Sequence, residues 1–232
     1  MKALLRLNFY LSGGYKNLLI LAAIPFLLLL ENHIVGSEPD VGFSILMVGA
    51  IGVIIGITPF SMNAVKTQSR WQTYAKTLPY HRTQIVDSHY LFSLLDAVFA
   101  AVVGSAAVSV QMLLNPALLS ETPYKSSAAF SLMYAAAAAA ITLHLAAFQY
   151  PLHFRQQSSI RSYVLFTALS LLLLLPYLMY LTAHMDFVGT VTVLPDTRWL
   201  PLLMLAVSAA CYPLSWLMSR RAYCGANTEV NV

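Results

Sequence analysis

Apolar runs close to the roughly 20 residues an α-helix needs to cross bilayer hydrocarbon recur along this chain at 16–34, 41–60, 90–114, 126–150, 162–181 and 199–219. Of the 232 residues, 59% are apolar and only 9% are charged, whereas an ordinary soluble domain is about 25% charged. A core of this size cannot hide so much apolar surface from water, so the solvent for these runs is lipid. Their continuity specifies helices, because barrel strands would appear as short alternating segments. The expected fold is an all-α membrane protein, one transmembrane domain of six helices. The first run follows Lys2, Arg6 and Lys16 as the apolar stretch of a signal peptide would. It ends in Glu31, Asn32 and His33 without a small-residue cleavage site, so a retained first span is expected.

Lys and Arg set orientation, because cytoplasmic loops carry them in excess. Lys2, Arg6, Lys16, Lys66, Arg70, Lys76, Arg82, Arg155, Arg161, Arg220 and Arg221 fall on one side of the six-span plan, and only Lys125 and Arg198 on the other. Both termini are therefore predicted to be cytoplasmic. Glu31, Glu38, Asp40, Glu121, Asp186 and Asp196 lie on the opposite side, which agrees although acids count for little in this rule.

Residues 1–14 mix Leu4, Leu5, Leu7 and Phe9 with Lys2 and Arg6, a pattern suited to a short helix in the membrane interface. Gly13 and Gly14 offer a hinge before the first span. Gly52 and Gly56 have the small-xxx-small spacing, and Ala135 to Ala140 form a smooth strip in the fourth span. Such faces let helix backbones approach closely in lipid, within one bundle or between two copies. Pro25, Pro59, Pro176 and Pro213 fall within or at the ends of spans, where each frees a backbone carbonyl.

An ionisable residue at membrane depth is a functional hypothesis by default. Asp96 is the one carboxylate well inside an apolar run, and His144 lies in the fourth. Asp96 could serve a stand-alone secondary transporter or channel, or be a carboxylate bonded to a neighbouring helix or wetted by a cavity. His144 reads as a packing residue. Cys211 and Cys224 imply no disulfide framework, and no metal-ligand spacing appears. HExxH, GxSxG and P-loop motifs are absent from the sequence, so no catalytic residue is expected and ATP is not bound through a P-loop. Nucleic-acid binding is not expected, since the topology accounts for the cations.

The loop at 61–89 is far longer than a chain reversal needs. Val65, Trp71, Tyr74 and Leu78 share one side of a short amphipathic helix, which Pro79 stops by excluding residue 78 from helical geometry. A second helix begins near His81 or Thr83 and runs into the third span. Periodicity alone leaves open a rigid cytoplasmic knob or a surface helix anchored by Trp71 and Tyr74.

The stretch from Arg70 to Val86 resembles the corresponding loop of small ABC-type-2 transporter permeases. Their pattern is carried here by Trp71, Tyr74, Thr77, Leu78, Pro79, Arg82, Ile85 and Val86, followed by Tyr90 and Leu91. His89 stands where that family often has Lys, and Thr67 to Arg70 stand where acids are common. The motif covers about 20 residues, and the six-span plan extends the likeness to the whole chain. The resemblance implies a permease half that pairs with a second permease subunit, as a homodimer, and with a separate cytoplasmic ABC ATPase that binds ATP and Mg. It implies that Arg70, Trp71, Tyr74, Lys76, Thr77, Leu78, Pro79 and Arg82 belong to a coupling helix against that ATPase. Arg155, in the loop at 151–161, belongs to a second, smaller contact. It also implies a cell-membrane exporter of amphipathic cargo, of the type that exports phenol-soluble modulins or antimicrobial peptides. The competing readings are the stand-alone transporter using Asp96 and a non-transporting scaffold.

Overall fold

The computed structural model describes residues 2–11, 41–56, 80–114, 116, 126–154, 164, 168 and 199–225. Among them the chain is helical and forms no strand. The helices are α1 (Lys2–Leu11), α2 (Val41–Gly56), α3 (Arg82–Leu114), α4 (Ser127–Phe154) and α5 (Leu200–Gly225). Three of these, α3, α4 and α5, are long and apolar enough to cross a membrane. The first span, the fifth span apart from Val164 and Ala168, and the loop segment from Ser61 to Pro79 lie outside the described residues.

Local chemistry explains where the long helices start. The Gln84 side chain accepts from the His81 backbone N–H at 3.2 Å, and the His81 carbonyl accepts from Gln84 N at 2.9 Å, capping α3. Ser126 caps α4, its hydroxyl accepting from Ala129 N at 3.2 Å. The 33 residues of α3 span about 50 Å, more than the roughly 30 Å of hydrocarbon. The excess of about 20 Å is between three and four turns.

Helix α4 is the central element, with α2, α3 and α5 all packed on it. Its alanine strip makes this possible: Ala136, Ala137, Ala138 and Ala140 are buried and hold the neighbouring backbones close. A Cβ on Gly52 would stand 3.0 Å from Ile141 Cβ and 3.1 Å from the Ala138 carbonyl. One on Gly56 would stand 2.8 Å from Leu145 Cδ1 and 3.1 Å from Thr142 Cα. The two glycines thus serve packing inside the bundle. Thr142 exploits the close approach, its hydroxyl lying 3.2 Å from the Gly52 carbonyl and 2.9 Å from the Ala138 carbonyl.

These contacts set direction. As α2 advances from Gly52 to Gly56, its partners advance along α4, so the two run parallel. Helix α3 is antiparallel to α4: Ser109 meets Ser131 at 3.1 Å near one end, and Tyr150 meets the His89 carbonyl at 3.0 Å near the other. Helix α5 runs parallel to α4, since Leu200 and Met204 join the cluster holding Phe130 and Tyr134, whereas Tyr223 meets Phe154 edge to face with ring centroids 5.4 Å apart. Two apolar clusters result, one in each half of the bundle. Helix α1 packs on the start of α3, where buried Asn8 donates to Ser88 Oγ at 3.2 Å. Lys2, Arg6, Arg82, Arg220 and Arg221, the cations among the described residues, all lie at this end.

Candidate functional site

The basic end of the bundle, where α3 begins and α4 and α5 finish, holds its densest polar construction. It starts from a local defect. Pro151 lies inside α4 and has no N–H to give the carbonyl four residues earlier, that of Ala147. In a dry setting an orphaned carbonyl is expensive. Ser215 of α5 supplies the missing donor, its hydroxyl lying 2.6 Å from the Ala147 oxygen. This lets α4 continue past Pro151 to Phe154, beyond the apolar run that ends near residue 150.

Counting protons orders the rest of the network. Ser215 has spent its single hydroxyl hydrogen on Ala147, so the Tyr90 hydroxyl, 2.6 Å away, donates to Ser215. Tyr90 has then spent its own hydrogen, so Ser219 donates to Tyr90 across 2.7 Å. The chain runs Ser219 to Tyr90 to Ser215 to the Ala147 carbonyl and touches α5, α3 and α4. The Tyr212 hydroxyl donates to the Tyr90 carbonyl and contacts Ser93 Oγ. Tyr150 donates to the His89 carbonyl, and His89 donates from Nδ1 to the Ile85 carbonyl at 2.8 Å. The rings of Tyr90, Tyr150 and Tyr212 pack among one another, with centroids 4.8 and 5.1 Å from that of Tyr90.

A charged clamp lies next to this network, towards the helix ends. Arg220 forks onto Asp87, with Nε 3.0 Å from Oδ1 and the terminal nitrogen 2.7 Å from Oδ2. Trp216 Nε1 donates to the same Oδ1 at 2.8 Å, and the Arg220 guanidinium stacks over the Trp216 ring at 4.2 Å. The planar guanidinium thus pairs with a carboxylate and stacks on an aromatic face at once, which an ammonium could not do equally well. Arg82, the first residue of α3, reaches the Tyr223 carbonyl at 3.5 Å and lies over the Tyr223 ring at 5.8 Å.

Asp96 sits about four turns from the start of α3 and is 5% exposed. His144, on a different helix, is half-buried and packs its ring on Phe148 at 4.7 Å. No group of three or more His, Cys, Asp or Glu is placed to hold a metal among the described residues.

A family model described as ABC-2 family transporter protein matches residues 3–224. The chain belongs to that family. No curated protein and no solved structure matches it. An ABC-2 permease is the membrane subunit of an ABC transporter, distinct from the ATPase subunit it works with. In this ABC-2 permease, Arg82 of the expected coupling residues is brought into the basic-end junction. Arg70, Trp71, Tyr74, Lys76, Thr77, Leu78, Pro79 and Arg155 lie outside the described residues. Sequence reasoning passed over Asp87, Tyr212, Ser215, Trp216 and Ser219, and named Tyr90 only within the family motif and Arg220 only as an orienting cation. The one available signal was Asp87, an acid in an otherwise basic flank.

Proposed function

We propose that this ABC-2 permease is a six-span half of an exporter, paired with a second copy of itself in the cell membrane and driven by a cytoplasmic ATPase that binds ATP and Mg. Its termini face the cytoplasm, α1 lies in the interface, and the loops at 61–89 and 151–161 receive the ATPase. The directions of the described helices support the span count. Helices α2, α4 and α5 run parallel, which fits a returning span between α4 and α5. Asn8 lies at the basic end, and α2 runs towards it, which calls for another crossing between α1 and α2. The gathering of the described cations at one end supports the orientation.

The observation that carries the coupling reading is the anchoring of α3. The helix that continues the long loop is joined at its first turns to the ends of α4 and α5, so motion of the loop enters the bundle there. Closure of two ATPase subunits would tilt such a bundle between discrete packings. The cargo is an amphipathic peptide, a reading supported by the apolar character of the spans: Asp96 is the charged side chain found within them among the described residues.

The test is reconstitution of the full chain with a candidate cytoplasmic P-loop ATPase subunit. ATP hydrolysis that drives uptake of a labelled amphipathic peptide into inverted vesicles should need both chains. Deletion of residues 70–82 should abolish uptake while the protein still inserts. Uptake that persists in the deletion variant would refute the coupling assignment. Flux without the ATPase, lost in Asp96→Asn, would replace this reading with the stand-alone transporter.

A further inference from the structure

Three turns of α5 present one stripe to the basic-end junction: Tyr212, then Ser215 and Trp216, then Ser219 and Arg220. Each member bonds to α3 or α4. Ser215 touches both at once, giving its proton to the Ala147 carbonyl of α4 and taking one from Tyr90 of α3. At this end the bond from Tyr150 to the His89 carbonyl joins α4 to α3 directly, and α5 adds a second and longer set of links. Ser215 and Ser219 are buried.

Helices in lipid gain little from burying one apolar face on another, because the surrounding tails are as apolar as the partner. Register between such helices is set by close packing and by directional bonds, and at this end the bonds are concentrated on one stripe. The position of this stripe matters for that reason. It meets α3 in the first turns of that helix, from Asp87 to Tyr90, and α4 at Ala147, about two turns before that helix ends at Phe154.

Resting on the permease reading above, we propose that Ser215, Ser219 and Arg220 are positioning residues that clamp the loop-bearing ends of α3 and α4 into a single body. A push on either loop then moves both helices together. Pro151 is part of the device. By withholding its N–H it leaves the Ala147 carbonyl open to a donor from another helix, which an ordinary residue there would have satisfied within α4.

The experiment has two arms, both on the full chain in nanodiscs of phosphatidylethanolamine and phosphatidylglycerol. In the first, amide hydrogen exchange is compared between the parent, Ser215→Ala and Ser215→Thr. Ser215→Ala should speed exchange about fivefold in both the Arg82–Ser93 stretch of α3 and the Ala147–Phe154 stretch of α4, and Ser215→Thr should restore protection. Acceleration confined to α5, or to one of the two stretches, overturns the clamp. In the second arm the ATPase subunit is added, and Leu113→Cys, at the far end of α3, reports by its rate of labelling with a hydrophilic maleimide after Cys211 and Cys224 are replaced. ATP should change that rate in the parent and in Ser215→Thr but not in Ser215→Ala, while ATP hydrolysis continues. A response in Ser215→Ala equal to the parent's overturns the proposal. No response in any of them refutes the permease reading instead, and the exchange arm then still decides the clamp.

Discussion

Removal of the Ser215 hydroxyl should destabilise the bundle by an amount that depends on whether residue 151 is proline. In the parent, Ser215→Ala strands the Ala147 carbonyl, because Pro151 offers no N–H, and Tyr90 loses its acceptor. Tyr90 can turn its hydrogen towards Ser219, 2.7 Å away, so the carbonyl carries most of the loss. An interhelical hydrogen bond in a membrane protein averages about 0.6 kcal/mol and reaches about 1.7, and an unsatisfied buried polar group costs about 1–3 kcal/mol. The expected loss is about 1–2 kcal/mol. In a Pro151→Ala background the new N–H bonds to Ala147 within α4, and Ser215→Ala should then cost only about 0.5 kcal/mol. The two substitutions should therefore couple by about 1 kcal/mol, read from a double-mutant cycle of SDS-induced unfolding in micelles. Equal losses in the two backgrounds, within about 0.3 kcal/mol, would refute the account of Ser215 as the donor that Pro151 removed.

Other perturbations test neighbouring parts of the structure. Gly52→Ala should destabilise the bundle by about 1–3 kcal/mol, because its Cβ would meet Ile141 Cβ and the Ala138 carbonyl, neither of which can rotate away. An unchanged melting temperature would mean that α2 does not pack so closely. Arg220→Lys keeps the charge but not the fork on Asp87 or the stack on Trp216. It should lower stability by about 0.5–1 kcal/mol, the pair being partly exposed and so discounted for solvent. It should also shift the Trp216 emission to the red, and emission identical to the parent's would argue against the stack. Asn8→Leu should loosen α1 from α3 by removing its bond to Ser88, seen as faster proteolysis of the N-terminal segment.

Much of the architecture was legible because its signals are local. A helix starting near His81 was read from Pro79, and α3 starts at Arg82; the caps made by Gln84 and Ser126 are local too, though that reading did not use them. The small-xxx-small spacing of Gly52 and Gly56 pointed to a close helix contact, without naming the partner, which is α4. Asp96 was legible as a carboxylate at membrane depth, and it is buried.

The sequence by itself determined a chain for lipid, built of helices among the described residues, and a charge bias from which the orientation is proposed. Those follow from composition and from the length of each apolar run, which any short window records. Only the tertiary structure decided which polar side chains meet at the basic end. Asp87 and Arg220 stand 133 residues apart, and a serine in an apolar run reads as a small packing residue whatever it bonds. Ser215 acquires its meaning from a proline on a different helix. No periodicity carries that pairing, because it arises when α5 is laid beside α4 in one particular register.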